Sequence, residues 1–470
     1  MSVAVADHLL ARQDEVLERL MALLRLPSVS TDPAYAEGMA ATRDFLTARL
    51  RELGLQKVQL LDGGGQPAVY GEWLGAPGQP TIVIYGHYDV QPPDPLDRWV
   101  SPPFEPAIRD GRLYARGASD VKGSTLIAVE TIGAFLAAEG KCPVNVKLFL
   151  EGEEETGSPS IRRIIETHRE LLRADAMLSA DGGRASTSLP TLNTGARGLC
   201  KLEVTLRSAR KDMHSGRYGG AVRNALHELA RLVTTLHDAQ GRIQVADFDS
   251  DAAPLTARDR ADAAALAGDE AAFYANTGAL PHGDPAYTVR ERITLRPTID
   301  VNGLWGGYTG AGSKTVIPAE AQAKITARLV PGQDPDRARE RIVEHLRRHC
   351  PEGVELAFSP PGGNAPASTL PEGHPLLIAA EAVVREIQGR DPVRARIGGT
   401  LPITGIFREM LGIDTLMFGF AMPDEDVHAP NEFFRLSSLE EGLRAWPLLL
   451  SRIGESSAAE FAPWRYATQA

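Results

Sequence analysis

The chain has 470 residues, 43% of them hydrophobic and 24% charged, the balance of a soluble globular protein with a prior of about 150 residues per domain. Fifty Lys and Arg against 61 Asp and Glu leave a formal charge of −11 with no dense basic block, which excludes the electrostatic footprint of a nucleic-acid binder. No apolar run reaches the ~18 residues of a membrane span, Met1 to His8 lacks the pattern of a signal peptide, and Cys142, Cys200 and Cys350 are too scattered for a disulfide framework, so a cytoplasmic protein is expected.

Apolar spacing of three and four residues predicts helices over Glu15 to Leu26 and over about Met39 to Leu53, the second stopped by Gly54. Thr81 to Tyr85 is a short continuous apolar run between Pro80 and Gly86, read as a strand buried on both faces. Asp110-Gly111 between apolar residues predicts a hairpin over Ile108 to Tyr114. A helix from about Lys122 to Ala138, a strand at Val144 to Leu150, a helix from Ser158 to Leu172 and a strand at Ala176 to Ser179 follow.

After Gly195 the strands alternate in polarity: Leu199 to Leu206, Ala323 to Val330 and Val354 to Phe358, with helices over about Val222 to His237 and Pro335 to Cys350. Asp238 to Leu295 reads as surface helices and loops, and Ser359 to Pro366 as a Pro/Gly-rich linker. A helix at Leu376 to Gln388, a strand at Thr415 to Phe418 and a helix at Ser438 to Ile453 return to the texture of the first part. The expected fold is α/β: a discontinuous mixed-sheet domain (1–195 and 369–470) interrupted by a smaller α+β domain (196–368).

The chemistry lies at strand ends. Gly86-His87-Tyr88-Asp89 follows a buried strand, and His87 and Asp89 face the same side of an extended chain, so a carboxylate is available to orient the imidazole. Asp120 precedes a helix, Glu151-Gly152-Glu153-Glu154-Glu155 and Asp181 follow strands, and His428 lies after another. Singly these read as caps, turns or solvated acidic loops. Together, two His and several carboxylates at the ends of strands of one sheet point to a divalent-metal site, where a shared carboxylate bridges two ions and a free Glu serves as base. No GxSxG elbow, Walker A sequence or HExxH is present.

These residues resemble the co-catalytic zinc metallopeptidases that include carnosine-type cytosolic dipeptidases, acetylornithine deacetylase, succinyl-diaminopimelate desuccinylase and glutamate carboxypeptidase. The resemblance covers nearly the whole chain. It rests on YGHYDV (Tyr85 to Val90), the Trp99 to Phe104 stretch, RGASDVKG (Arg116 to Gly123), EGEEETGS (Glu151 to Ser158), Asp181, DMHSG (Asp212 to Gly216), GSKTVIP (Gly312 to Pro318), ARLVPG (Ala327 to Gly332) and the late His428. It implies two divalent ions per subunit, zinc foremost with Mn or Co as alternatives, one held by His87 and Asp181, the other by Glu155 and His428, with Asp120 bridging. It further implies that Asp89 orients His87, that Glu154 is the general base, and that the inserted domain is a lid through which a homodimer forms. His214 matches a lid histidine that reaches the partner subunit's active site and stabilises the oxyanion, and Arg328 an arginine that grips the substrate carboxylate. Thr315, Gly399 and Thr400 match polar substrate contacts.

Asp at position 181 and Lys314-Thr315-Val316-Ile317-Pro318 lean toward the dipeptidase branch and a small peptide substrate. The alternatives are an N-acyl amino acid deacylase or carboxypeptidase using the same metals, and a non-catalytic scaffold of the same fold. Two departures from the animal cytosolic dipeptidases stand out: Ile397 where they carry Glu before Gly-Gly, and no His within Ser359 to Gly363.

Overall fold

The computed structural model describes residues 2–400 and 402–468. The chain divides into two compact units: Met1–Thr194 with Leu370–Ala395 and Pro402–Ala470, and Gly195–Thr369 with Arg396–Leu401. The stretch 396–401, which the sequence reading leaves with the flanking catalytic segments, groups with the second unit: Arg197 Nε donates to Gly398 O at 2.7 Å, and Arg396 Nη2 pairs with Asp259 at 2.7 Å.

The first unit is built on a mixed sheet whose strands lie in the order Gln56–Leu61, Ala68–Trp73, Asn145–Glu151, Thr81–His87, Ala176–Ser179, Thr415–Met417. Thr81–His87 runs parallel to both Asn145–Glu151 and Ala176–Ser179, and Thr415–Met417 parallel to Ala176–Ser179. These four strands are buried almost throughout, as continuous apolar runs demand. Their parallel direction brings four carboxyl ends to one edge. On one face the sheet packs Gly123–Glu139, every residue of which from Gly123 to Phe135 is buried. This helix, extended to Ala118–Glu139, is long and apolar enough to cross a membrane, but it is the core helix of the unit. Its one buried acid, Glu130, is held by bidentate pairs from Arg19 and Arg49, which satisfy a carboxylate that burial would otherwise penalise.

The hairpin Ala107–Arg109 and Arg112–Tyr114 turns on Asp110 (φ 48°) and Gly111 (φ 71°), the pair of positive angles an Asp-Gly turn supplies. The helix read from Ser158 to Leu172 is two short helices, Ile161–Thr167 and Arg169–Leu172, meeting at His168.

The second unit carries an antiparallel sheet in the order Thr298–Gly306, Glu320–Leu329, Gly198–Arg207, Glu355–Phe358. Cys200, Leu202, Val204 and Leu206 alternate inward with Ala321, Ala323, Ile325 and Ala327, and Leu229, Leu232, Ile342 and Leu346 from two helices close that face. The expected linker Ser359 to Pro366 is tied to this sheet: Ser359 N donates to Glu203 O, and Ala365 exchanges bonds with Leu199.

Candidate metal centre

His87 ends the strand Thr81–His87, and its ring is buried. Nδ1 lies 3.0 Å from Asp89 O and 3.5 Å from the Asp89 carboxylate, which turns Nε2 toward Asp120 Oδ1 at 3.2 Å and Asp181 Oδ2 at 4.0 Å. Asp181 comes from the end of the neighbouring strand Ala176–Ser179. The other oxygen of Asp120 is 2.9 Å from His428 Nε2, and His428 Nε2 is 3.4 Å from Glu155 Oε2. Ligand atoms of His87, Asp120 and Asp181 all lie within 4.8 Å of one another, as do those of Asp120, Glu155 and His428. Asp120 belongs to both groups, one oxygen in each.

Glu154 and Glu155 sit in the single turn Glu154–Thr156 after the strand Asn145–Glu151. Their backbone N–H groups donate to the Asp89 carboxylate at 3.2 and 3.1 Å, and Ser30 Oγ donates to it at 2.7 Å. Asp89 therefore faces His87 and also fixes the turn that presents both glutamates. Glu153 points elsewhere: its carboxylate accepts from Gln66 N and Ser160 N. Gln91 was not singled out in the sequence, yet its Nε2 donates to Glu155 Oε2 at 2.7 Å.

Crowding carboxylates at one strand edge perturbs Glu154, Asp181, Asp120 and His428. Burial pushes Glu154 up to about 8, reinforced by Asp181, Glu155 and Asp120. Burial likewise raises Asp181 to about 6. Burial would also raise Asp120, but hydrogen bonds from His428 and His87 hold it well below the usual carboxylate range. His428 is raised to about 10, first by its bond to Asp120 and then by Glu155. The cluster demands positive charge. Glu155 Oε1 is buried with no hydrogen-bond partner, an orphan that a cation would satisfy. An all-N/O donor set of imidazole and carboxylate suits Zn, Mn or Co.

The second unit brings its predicted residues together in two groups. Strand pairing of Met213–His214 with Val316–Ile317 sets His214 beside Thr315, whose carbonyl accepts from Ser215 N at 3.0 Å. His214 is exposed, and its Nδ1 accepts from Gly216 N at 3.0 Å, which leaves Nε2 as the N–H donor. Separately, Arg328 Nη1 donates to Thr400 Oγ1 at 2.7 Å. Gly399 is open to solvent, whereas Gly398 is sterically required: a Cβ there would lie 2.4 Å from Ile293 O.

Residues 83–452 match the model of peptidase family M20/M25/M40. The chain belongs to that family. It is 27% identical to the Cys-Gly metallodipeptidase of Saccharomyces cerevisiae over 94% of this chain and 96% of that one. It is 28% identical to the human Beta-Ala-His dipeptidase over 94% of this chain and 90% of that one. Among solved structures, the M20 family metallo-carboxypeptidase of Sulfolobus solfataricus superposes with a TM-score of 0.78 at 32% identity, covering 94% of this chain and all of that one. Human carnosine dipeptidase 1 superposes with a TM-score of 0.73 at 25% identity, covering 96% and 98%. The family and these relatives make the chain a metal-dependent peptidase-type hydrolase of mixed α/β fold.

Proposed function

We propose that this chain hydrolyses the peptide bond of dipeptides or short peptides with two divalent ions, zinc foremost. The observation that supports this most is Asp120, whose two oxygens each face a different imidazole and a different carboxylate group. His87 and Asp181 would hold one ion, Glu155 and His428 the other, and Asp120 would bridge them. When bound, such ions acidify a water and polarise the scissile carbonyl.

The remaining chemistry belongs to the chain. Glu154 takes the proton of the attacking water on a carboxylate whose basicity burial has raised, and then passes it to the leaving amine as the C–N bond breaks. Asp89 holds the turn of Glu154 and Glu155 through two backbone N–H groups and keeps the base pointed at the water. His214 is assigned the oxyanion, with Nε2–H as the donor. Arg328 is assigned the substrate's terminal carboxylate, steadied by Thr400, with Thr315 and Gly399 as further contacts.

The protein is read as a cytoplasmic homodimer joined through the second unit. In support, Thr298–Gly306 is a sheet edge with no strand beyond it among the described residues, and it exposes Val301, Leu304 and Trp305. The likeness to the Sulfolobus metallo-carboxypeptidase favours, as a second reading, release of a C-terminal residue from longer peptides.

The test is a panel of dipeptides, tripeptides, longer peptides and N-acyl amino acids, given to chelator-stripped protein with and without Zn, Mn or Co. Metal-dependent cleavage of dipeptides is expected. Turnover confined to longer peptides would favour the carboxypeptidase, and turnover confined to N-acyl substrates a deacylase. Silence with every metal would leave a scaffold of the same fold.

A further inference from the structure

Two buried glutamates that take no part in the proposed chemistry stand directly behind the ligand cluster. Glu432, four residues after His428, is fully buried with both oxygens occupied. Its Oε2 accepts from Arg116 Nη1 at 2.6 Å and Gly117 N at 3.0 Å, and its Oε1 from Ser119 N at 3.0 Å and Asp120 N at 3.1 Å. Glu425, three residues before His428, accepts from Ser119 Oγ at 2.5 Å, Met422 N at 3.0 Å and Arg435 Nη1 at 2.9 Å. Both acids fasten the turn Gly117 to Asp120 to the loop Met422 to Glu432.

That loop carries three non-glycine residues in the left-handed region. Asp426, His428 and Asn431 adopt φ of 51°, 63° and 67°, a region where a Cβ crowds the backbone. The buried carboxylates Glu432 and Glu425 are the contacts placed to hold the loop against the Asp120 turn. Asn431 adds a third fastening by accepting from Val100 N and donating to Arg98 O.

We propose that Glu432 is a positioning residue. Its carboxylate registers the Asp120 turn against the His428 loop, so that two ligands 308 residues apart in sequence stand 2.9 Å apart before any cation arrives. Four donors and no acceptor face it, so the charge and both oxygens are needed. A Gln would turn its NH2 against two of those donors, and an Asp is one methylene short of spanning them. Because Asp120 serves both ions, loosening this turn weakens both, whereas loss of His428 weakens chiefly one. The inference rests on the two-ion reading for its effect on metal.

The experiment uses the full chain, stripped with chelator and titrated with Co(II) and Zn(II), followed by calorimetry and Co(II) absorption. Uptake of no ion by the wild type would sink the two-ion reading, not the clamp. Given two ions, Glu432→Gln is expected to unfold cooperatively and to bind both about 10–100-fold more weakly, with Glu432→Asp intermediate. Affinities within about twofold of wild type for both ions, or a loss at one ion alone, would overturn the proposal. Hydrogen exchange on the wild type needs no variant and no metal. The amides of Gly117, Ser119 and Asp120 should be as protected in stripped protein as in loaded protein. If they exchange freely until metal is added, the metal orders the turn and Glu432 does not, and the proposal fails on that result even where both variants do not fold.

Discussion

The backbone N–H of Glu154 points at Oδ1 of Asp89, 3.2 Å away, so the proposed base is held by the residue two places after the proposed ligand His87. One carboxylate thus orders two strand ends at once: it faces the His87 ring and collects the N–H groups of Glu154 and Glu155. Asp89→Asn would turn its amide NH2 against a backbone N–H in either orientation, that of Glu154 or that of Glu155. The expected outcome is a kcat loss of about 10²-fold together with metal binding weakened about tenfold, read by steady-state kinetics and metal titration. Unchanged metal affinity would restrict Asp89 to the Glu154 turn.

Glu154→Gln separates base from ligand. Glu154 lies outside both groups of ligand atoms that approach within 4.8 Å of one another. The variant should keep the wild-type metal stoichiometry while kcat falls about 10³-fold, within the range for removing a general base. A stoichiometry reduced by one ion would make Glu154 a ligand and move the base elsewhere.

His214 tests the assembly. His214→Ala and Glu154→Ala subunits should each be nearly inactive alone. Mixed and re-equilibrated in equal amounts, they should recover about a quarter of wild-type activity, since half of the dimers would be mixed and each would hold one complete site. No recovery on mixing, with subunit exchange verified, would place His214 in its own subunit's site or outside catalysis.

Arg328→Ala probes substrate anchoring. A charge-assisted bond to a carboxylate contributes about 1.5–3 kcal/mol, so KM for peptides with a free C-terminus should rise about 10–100-fold. C-terminally amidated peptides, which lack that charge, should be cleaved no worse by the variant than by the wild type. An equal loss on both substrates would mean that Arg328 supports Thr400 and the loop rather than the substrate.

The parts of this molecule legible in the sequence are those governed by short-range rules. The buried strand at Thr81, the Asp110-Gly111 hairpin and the helix over Pro335–His349 all follow from periodicity, turn chemistry or capping, Asp334 capping the last of these with Pro335 as its first residue. The proposed ligands were legible because recurrent motifs carry them, with His87 ending a strand, Glu155 and Asp181 shortly after strands, and Asp120 just ahead of a helix. The strand Thr298–Gly306 was not foreseen, because Asp300, Asn302 and Gly303 interrupt its pattern and its register shifts between Val301 and Gly303. Nor were Gln91, Arg197 and Glu432. Their roles are made by partners far along the chain, Glu155 for the first, Gly398 for the second and Asp120 for the third, and no local spacing encodes such a meeting.

Acid stability should depend on His374, far from the chemistry. Its ring is fully buried between Phe461 and Trp464, and Nδ1 accepts from Leu376 N at 3.1 Å as the N-cap of the helix Pro375–Gln388. That acceptor bond requires the neutral ring, and burial lowers the group to about 4, with Arg408 adding to the effect. Below the unfolded value of about 6.5, the unfolded chain gains a proton that the folded chain refuses. The contribution is therefore complete above about pH 6.5 and is lost as pH falls toward 4, by about 3 kcal/mol at most. His374→Asn keeps a capping acceptor and removes the titration. It should start less stable at pH 7, having lost the contacts with Phe461 and Trp464, yet lose less stability than the wild type between pH 6.5 and 4.5 in urea unfolding. The slope decides: parallel losses in the two proteins would mean that the buried ring accepts its proton without disturbing the cap.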